Sequence, residues 1–113
     1  QQTNFAEAEK HLRYALLKDG ANPHAHLYLG RALIALRRHD EAERELLAAL
    51  RHGGDRLSMA HRFLGALYIE RGDAARAVAS LETYLRLAPD AREAPQIREL
   101  VKQLRAQSAT DKK

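Results

Sequence analysis

The sequence predicts an all-α solenoid of antiparallel helix pairs, closed at one end by a single capping helix. Three observations predict it. His26-Leu27-Tyr28-Leu29-Gly30-Arg31-Ala32-Leu33 recurs as His61-Arg62-Phe63-Leu64-Gly65-Ala66-Leu67-Tyr68, with the two glycines 35 residues apart. Ala42 and Leu46 recur at the same interval as Ala77 and Leu81, and a partial copy, Ala8 and Leu12, stands 34 residues before the first of these pairs. Each alanine opens a stripe with helical spacing: Ala8-Leu12-Ala15-Leu16, Ala42-Leu46-Ala49-Leu50 and Ala77-Leu81-Tyr84-Leu85. Self-similarity at a fixed period of this size marks a repeat architecture, in which each unit buries its apolar face only against its neighbours.

The elements follow in order. Residues 1–4 read as a turn, with Gln1 and Gln2 ending a helix that precedes the chain. Asn4 and Glu7 make a capping box for a helix to about Lys18, carrying Phe5, Ala8, Leu12, Ala15 and Leu16 and ended by Gly20. Asn22-Pro23 opens the second helix, because Asn caps and Pro suits the first turn. Leu29, Leu33 and Leu36 face its partner. Gly30 lacks a side chain there, so two backbones can approach closely. A mid-helix Gly costs about 1 kcal/mol relative to Ala, and its recurrence as Gly65 in the same phase argues that packing offsets the cost.

Arg37 to His39 turn the chain, and Asp40 with Glu43 caps a third helix over about 40–52. Gly53-Gly54-Asp55 is a loop. A fourth helix runs from about Leu57 to Arg71, Gly72-Asp73 turns, and a fifth spans about 74–87 until Pro89 stops it. Asp90 and Glu93 resemble another capping box, although Pro95 then falls inside the helix. The expectation is an irregular start and a regular helix from Ala94 to Gln107. Its apolar residues are Ile97, Leu100, Val101 and Leu104. Ser108 to Lys113 reads as a frayed, charged tail.

On these residues the chain resembles the tetratricopeptide repeat family, whose pattern is Trp-x-x-Leu-Gly-x-x-Tyr, then Ala-x-x-x-Phe, then Pro. The copy at 61–89 matches at Leu64, Gly65, Tyr68, Ala77 and Pro89, with His61 for Trp and Leu81 for Phe. The copy at 26–54 matches at Leu29, Gly30 and Ala42, with His26, Leu33, Leu46 and Gly54 at the other positions. The resemblance covers about residues 3–91, is to a bacterial-type fragment, and implies a right-handed solenoid. Its units are a half repeat at 1–22, repeats at 23–56 and 57–91, and a capping helix with a charged tail at 92–113. The chain starts with Gln, partway through a repeat, so a targeting segment is not excluded and the compartment stays open.

Composition narrows the function. There is no Cys, so no disulfide, thiolate nucleophile or thiolate metal site is available. No apolar run approaches the ~18 residues that span a membrane. Residues 92–113 hold six of the 19 basic and three of the 15 acidic side chains, so most of the net charge of +4 belongs to the last helix and tail. That segment has no aromatic residue to stack on bases, which speaks against nucleic acid. Lys102, Arg105, Lys112 and Lys113 would be its only basic cluster.

His26 and His61 hold equivalent positions and read as partly buried packing residues. His24 lies two residues from His26 and therefore on another face. His11, His39 and His52 show no convergent ligand spacing, so no metal is expected. Ser58, Ser80 and Ser108 lack a nucleophile elbow, and no phosphate-binding glycine loop is present. The chain reads as a non-enzyme without a cofactor.

What remains is a surface. Facing away from their partners are His24, Leu27, Arg31, Ile34 and Arg38 on the second helix. Their counterparts on the fourth are Met59, Arg62, Ala66, Ile69 and Asp73. The resemblance implies that these stripes line a concave groove. Apolar residues rimmed by charge mark a binding site, and Arg31 with Arg62 would clamp a carboxylate. The expected partner is a protein or peptide segment, acidic or carrying a C-terminal carboxylate. One family subclass binds acidic chaperone tails through Lys and Asn in the groove. This chain has only Asn4 and Asn22, outside the stripes, and Leu27 where a Lys is wanted. The alternative is a scaffold that self-associates by helix-end stacking, with the Phe5-Leu12-Leu16 stripe of the first helix uncovered and able to form a homo-oligomer.

Overall fold

The computed structural model describes residues 2–54 and 57–111. They form six helices: α1 Gln2–Lys18, α2 Pro23–Ala35, α3 His39–Gly53, α4 Ser58–Glu70, α5 Ala74–Leu87 and α6 Ala94–Asp111. Each packs on the next, and α2 also touches α4. Short turns make successive helices antiparallel, so α2/α3 and α4/α5 are the helix pairs of a solenoid measuring 48 × 26 × 23 Å. Asp55, in the expected loop after Gly54, lies outside the described residues, as do Gln1, Lys112 and Lys113.

The alanine stripes face the core. Ala42, Leu46 and Ala49 are wholly buried, as is Ala77, and Leu81 and Tyr84 are nearly so. Leu46, Ala49, Ala77, Leu81 and Tyr84 join Leu27, Leu64, Leu67, Ile97, Val101 and Leu104 in one cluster that runs from α2 to α6. A smaller cluster, Leu29, Leu33 and Ala42, receives Leu12 and Leu16 from α1. The two repeated glycines act as the sequence predicts. A Cβ on Gly30 would stand 2.7 Å from Leu46 Cγ and Cδ2, and one on Gly65 would stand 2.5 Å from Leu81 Cδ2. The glycines thus admit a leucine from the partner helix against the bare helix backbone.

The two turns within pairs share one geometry. After α2, Arg38 N–H donates to the Leu33 carbonyl and Arg37 N–H to that of Ile34. After α4, Asp73 donates to Tyr68 and Gly72 to Ile69. This is the Schellman pattern, which needs a left-handed residue at its tip. Gly72 supplies it with φ 76°, and Arg37 adopts it with φ 62° despite its Cβ.

Several expected boundaries shift. Helix α1 begins by Gln2, so Asn4 lies inside it and does not cap it. At the other end of α1, Asp19 Oδ1 accepts from Ala21 N–H, and this side-chain turn, rather than a left-handed Gly20, reverses the chain. Asn22 caps α2 as expected, accepting from His24 and Ala25. The Asp40–Glu43 capping box does not form. The cap of α3 is Arg38, without a side-chain bond, because both acids are drawn to Arg71. Glu93 likewise turns to Tyr84 instead of Asp90. Pro95 fits the first turn of α6, where no intrahelical donor is lost. That helix continues to Asp111, four residues past the expected end, so Ser108 to Asp111 are helical.

Ion pairs tie each intrapair turn to the preceding pair. Glu9 on α1 accepts from Arg38 at 2.7 Å, and Glu43 on α3, in the equivalent position, accepts from Arg71 at 2.9 Å. The Arg13 hydrogen bond, with Arg38 beside it, holds the Glu9 carboxyl below the usual range against the cost of burial. Arg38 does the same for Glu41.

The packed glycines and the left-handed Arg37 predict opposite responses. Gly30→Ala and Gly65→Ala gain about 1 kcal/mol of helix propensity but overpack a leucine that cannot retreat, at about 1–3 kcal/mol. Both should lower stability in urea denaturation, Gly65→Ala more. Arg37→Gly relieves a left-handed backbone worth about 1–2 kcal/mol and should raise stability by up to about 1 kcal/mol, since glycine also loosens the unfolded chain.

Candidate functional site

Helices α2, α4 and α6 present their remaining faces on one side of the solenoid, and two clefts lie between them. The first, about 330 Å³, lies between α2 and α4 and is lined by Arg31, Met59, Arg62, Phe63 and Ala66. The second, about 290 Å³, lies between α4 and α6 and includes Arg62, Ala66, Ile69, Glu93, Ile97 and Leu100. Arg62 and Ala66 belong to both, so the clefts are continuous.

The two arginines differ in state. The Arg31 guanidinium lies over the Phe63 ring, 6.0 Å from its centroid, and pairs with no carboxylate among the described residues. A guanidinium without a carboxylate partner keeps its N–H groups available for bidentate donation. Arg62 already faces an acid, with Nη1 3.8 Å from Glu93 Oε1. Glu93 also accepts from the Tyr84 hydroxyl. That hydrogen bond holds the Glu93 carboxyl below the usual range, while burial, then Glu93, push the Tyr84 phenol up. The two arginines therefore sit in different charge environments, Arg62 beside a carboxylate and Arg31 without one among the described residues.

The structure sorts the expected groove residues. Arg31, Met59, Arg62 and Ala66 line the α2–α4 cleft, and Ile69 lines the α4–α6 cleft. Ile34 is half-buried and packs against both core clusters. His24 is exposed at the first turn of α2. Leu27 is a correction: it is 3% exposed and sits in the core with Leu46, Ala49, Ala60 and Leu64. The reason is that α2 has three neighbours, α1, α3 and α4, so its buried arc is wider than a single-partner helix would have. The outward aromatic is Tyr28, 48% exposed, one residue on. Arg38 and Asp73, at the ends of the expected stripes, are taken by the Glu9–Glu41 network and by the cap of α5.

Phe63 was missed by the sequence reading. Its signal was available: Tyr28 and Phe63 are equivalent aromatics 35 residues apart.

The histidines serve packing and turns. His26 and His61 are half-buried. His26 Nδ1 lies 2.7 Å from Glu45, Nε2 lies 2.7 Å from the Gly20 carbonyl, and the ring stacks on His52 at 5.5 Å. His39 Nε2 meets Glu70 at 3.0 Å. Among the described residues no three His, Cys, Asp or Glu converge as metal ligands, and no helix is long and apolar enough to cross a membrane. Of the basic residues of the C-terminal segment, Arg105 is paired with Glu82.

A family model for the tetratricopeptide repeat matches residues 1–67. No curated protein matches the chain.

Core and groove residues of α2 should separate in denaturation experiments. Leu27→Ala removes a buried side chain and should cost about 2–5 kcal/mol. Arg31→Ala changes the surface alone and should stay within about 0.5 kcal/mol of the parent.

Proposed function

Because the chain belongs to the tetratricopeptide repeat family, whose repeats generally mediate protein–protein interaction, we propose that it holds a peptide segment of a partner protein in the groove on α2, α4 and α6. The peptide's acidic side chain or C-terminal carboxylate meets Arg31. Its neighbouring apolar side chains enter the clefts over Met59, Phe63 and Ala66, and continue toward Ile69, with Arg62 on the shared wall. His24 and Ile34 flank the entry along α2.

One observation carries this reading: Arg31 lies over the Phe63 ring without a carboxylate partner among the described residues, on the wall of a cleft that continues past Arg62. A cation of that kind gains most from a ligand carboxylate, since charge-assisted bidentate bonds are about twice as strong as neutral ones. Arg62, offset by Glu93, adds less.

A second reading, self-association by helix-end stacking, also rests on a specific feature. Ala8, Leu12 and Ala15 of α1 are only half-buried, whereas their equivalents Ala42, Leu46 and Ala49 are wholly buried. Phe5 beside them is half-buried too. A second copy stacking there would cover them.

Fluorescence anisotropy with labelled peptides separates the readings. A peptide ending in a free, Glu-flanked carboxylate should bind more tightly than its amidated, Gln-substituted counterpart, and Arg31→Glu should weaken it at least tenfold. Equal binding to both peptides, or an unaffected Arg31→Glu, contradicts the groove reading. A dimer in sedimentation that Phe5→Lys abolishes supports stacking.

A further inference from the structure

The groove leaves one feature of the molecule unused: the outer face of α1. Tyr14 is 60% and Leu17 83% exposed, and they line an open cleft of about 680 Å³ with Lys10, Arg13 and Leu16. The internal repeats show how unusual this face is. In the phase that aligns Ala8 with Ala42 and Ala77, Leu17 stands where α3 has Arg51 and α5 has Arg86, and Tyr14 stands where they have Ala48 and Thr83. The first helix has thus replaced an exposed arginine with an exposed leucine, and carries an aromatic ring where α3 has the buried Ala48 and α5 the half-buried Thr83.

Stacking of a further repeat would reach the Tyr14 position, as the buried Ala48 shows, but it does not account for Leu17. Arg51 is exposed although α3 packs between α2 and α4, and Arg86 is exposed although α5 packs between α4 and α6. The position held by Leu17 therefore stays open to solvent in every repeat that has its neighbours. The half-buried stripe of Ala8, Leu12 and Ala15 lies on the opposite, core-facing side of the helix and belongs to the stacking question above.

The charges around the face select its occupant. Lys18 Nζ sits 4.9 Å from the Tyr14 ring centroid, and Lys10 has no acidic partner among the described residues. Arg13 closes one edge, held by Glu9 and Glu41 at 2.9 and 3.3 Å. An apolar pair thus lies between two lysines eight residues apart, about 12 Å along the helix at 1.5 Å per residue. A second copy placing α1 antiparallel on α1 across Tyr14 would set Lys10 against Lys18, which is repulsive.

We propose that this face binds an amphipathic acidic helix of a partner protein. Apolar residues at helical spacing on that partner cover Tyr14 and Leu17, and carboxylates about two turns apart meet Lys10 and Lys18. The chain then carries two docking surfaces, a concave one on α2, α4 and α6 and a convex one on α1.

The test uses a synthetic helical peptide with leucines at i, i+3 and i+4 flanked by glutamates, and its lysine-flanked counterpart. The variant Leu17→Arg installs the residue that the other two repeats already tolerate, so the fold is retained; circular dichroism checks it. The acidic peptide should bind the parent chain, lose at least tenfold in affinity to Leu17→Arg, keep its affinity for Arg31→Ala, and weaken with added salt. Loss on Arg31→Ala with Leu17→Arg unaffected assigns the binding to the groove and overturns the proposal. So do equal binding of the lysine-flanked peptide and no binding of either. A Leu17-dependent dimer, or Leu17-dependent binding to anionic lipid vesicles when the acidic peptide does not bind, overturns it in favour of self-association or a membrane surface.

Discussion

The close approach of a leucine to a bare helix backbone sets the geometry of this protein. Leu46 lies on Gly30 and Leu81 on Gly65. Each contact limits how near the two helices of a pair can come, and the same residue types set that limit in both pairs. Helices α2 and α4 meet directly as well as through α3. Their free faces then lie side by side, and the groove exists because of that registry. The cost of glycine inside a helix, about 1 kcal/mol each, is offset by the dispersion and burial that a close-packed leucine gains.

A second, weaker constraint reinforces the first. Glu9 with Arg38 and Glu43 with Arg71 join each turn to the helix before it. Exposed ion pairs contribute only ~0–1 kcal/mol each, so they orient rather than hold. Glu43 also accepts from the Tyr68 hydroxyl at 2.7 Å. Burial, then this carboxylate, push the Tyr68 phenol up to about 12. These networks also decide which cations are free for partners. Arg13, Arg38, Arg71 and Arg105 are paired, whereas Arg31, Lys10 and Lys18 meet no carboxylate among the described residues. The last three border the two apolar surfaces.

Helix order, the repeated stripes and the glycine contacts were legible because each rests on local spacing, and the repeat supplied it twice. The groove was legible in part. Arg31, Met59, Arg62 and Ala66 follow from facing away from the pair partner. Leu27 does not, because the sequence gives no measure of how many neighbours a helix has, and α2 has three. The same blindness to distant partners explains the caps. Asp40 and Glu43 have capping spacing, but Arg71, some 30 residues on, outcompetes the backbone. The Arg62–Glu93 pair was equally out of reach, since it depends on where α6 begins its course beside α4. The outer face of α1 could have been found by aligning Leu17 with Arg51 and Arg86.

The central claim is that the groove takes an acidic ligand at Arg31. Chemical-shift perturbation with an unlabelled Glu-terminated peptide tests it most directly, because it reads every face at once. The account predicts shifts concentrated at Arg31, Met59, Phe63 and Ala66, with Arg31 side-chain N–H resonances moving most. Shifts confined to α1, or spread without regard to the α2–α4 cleft, would contradict it.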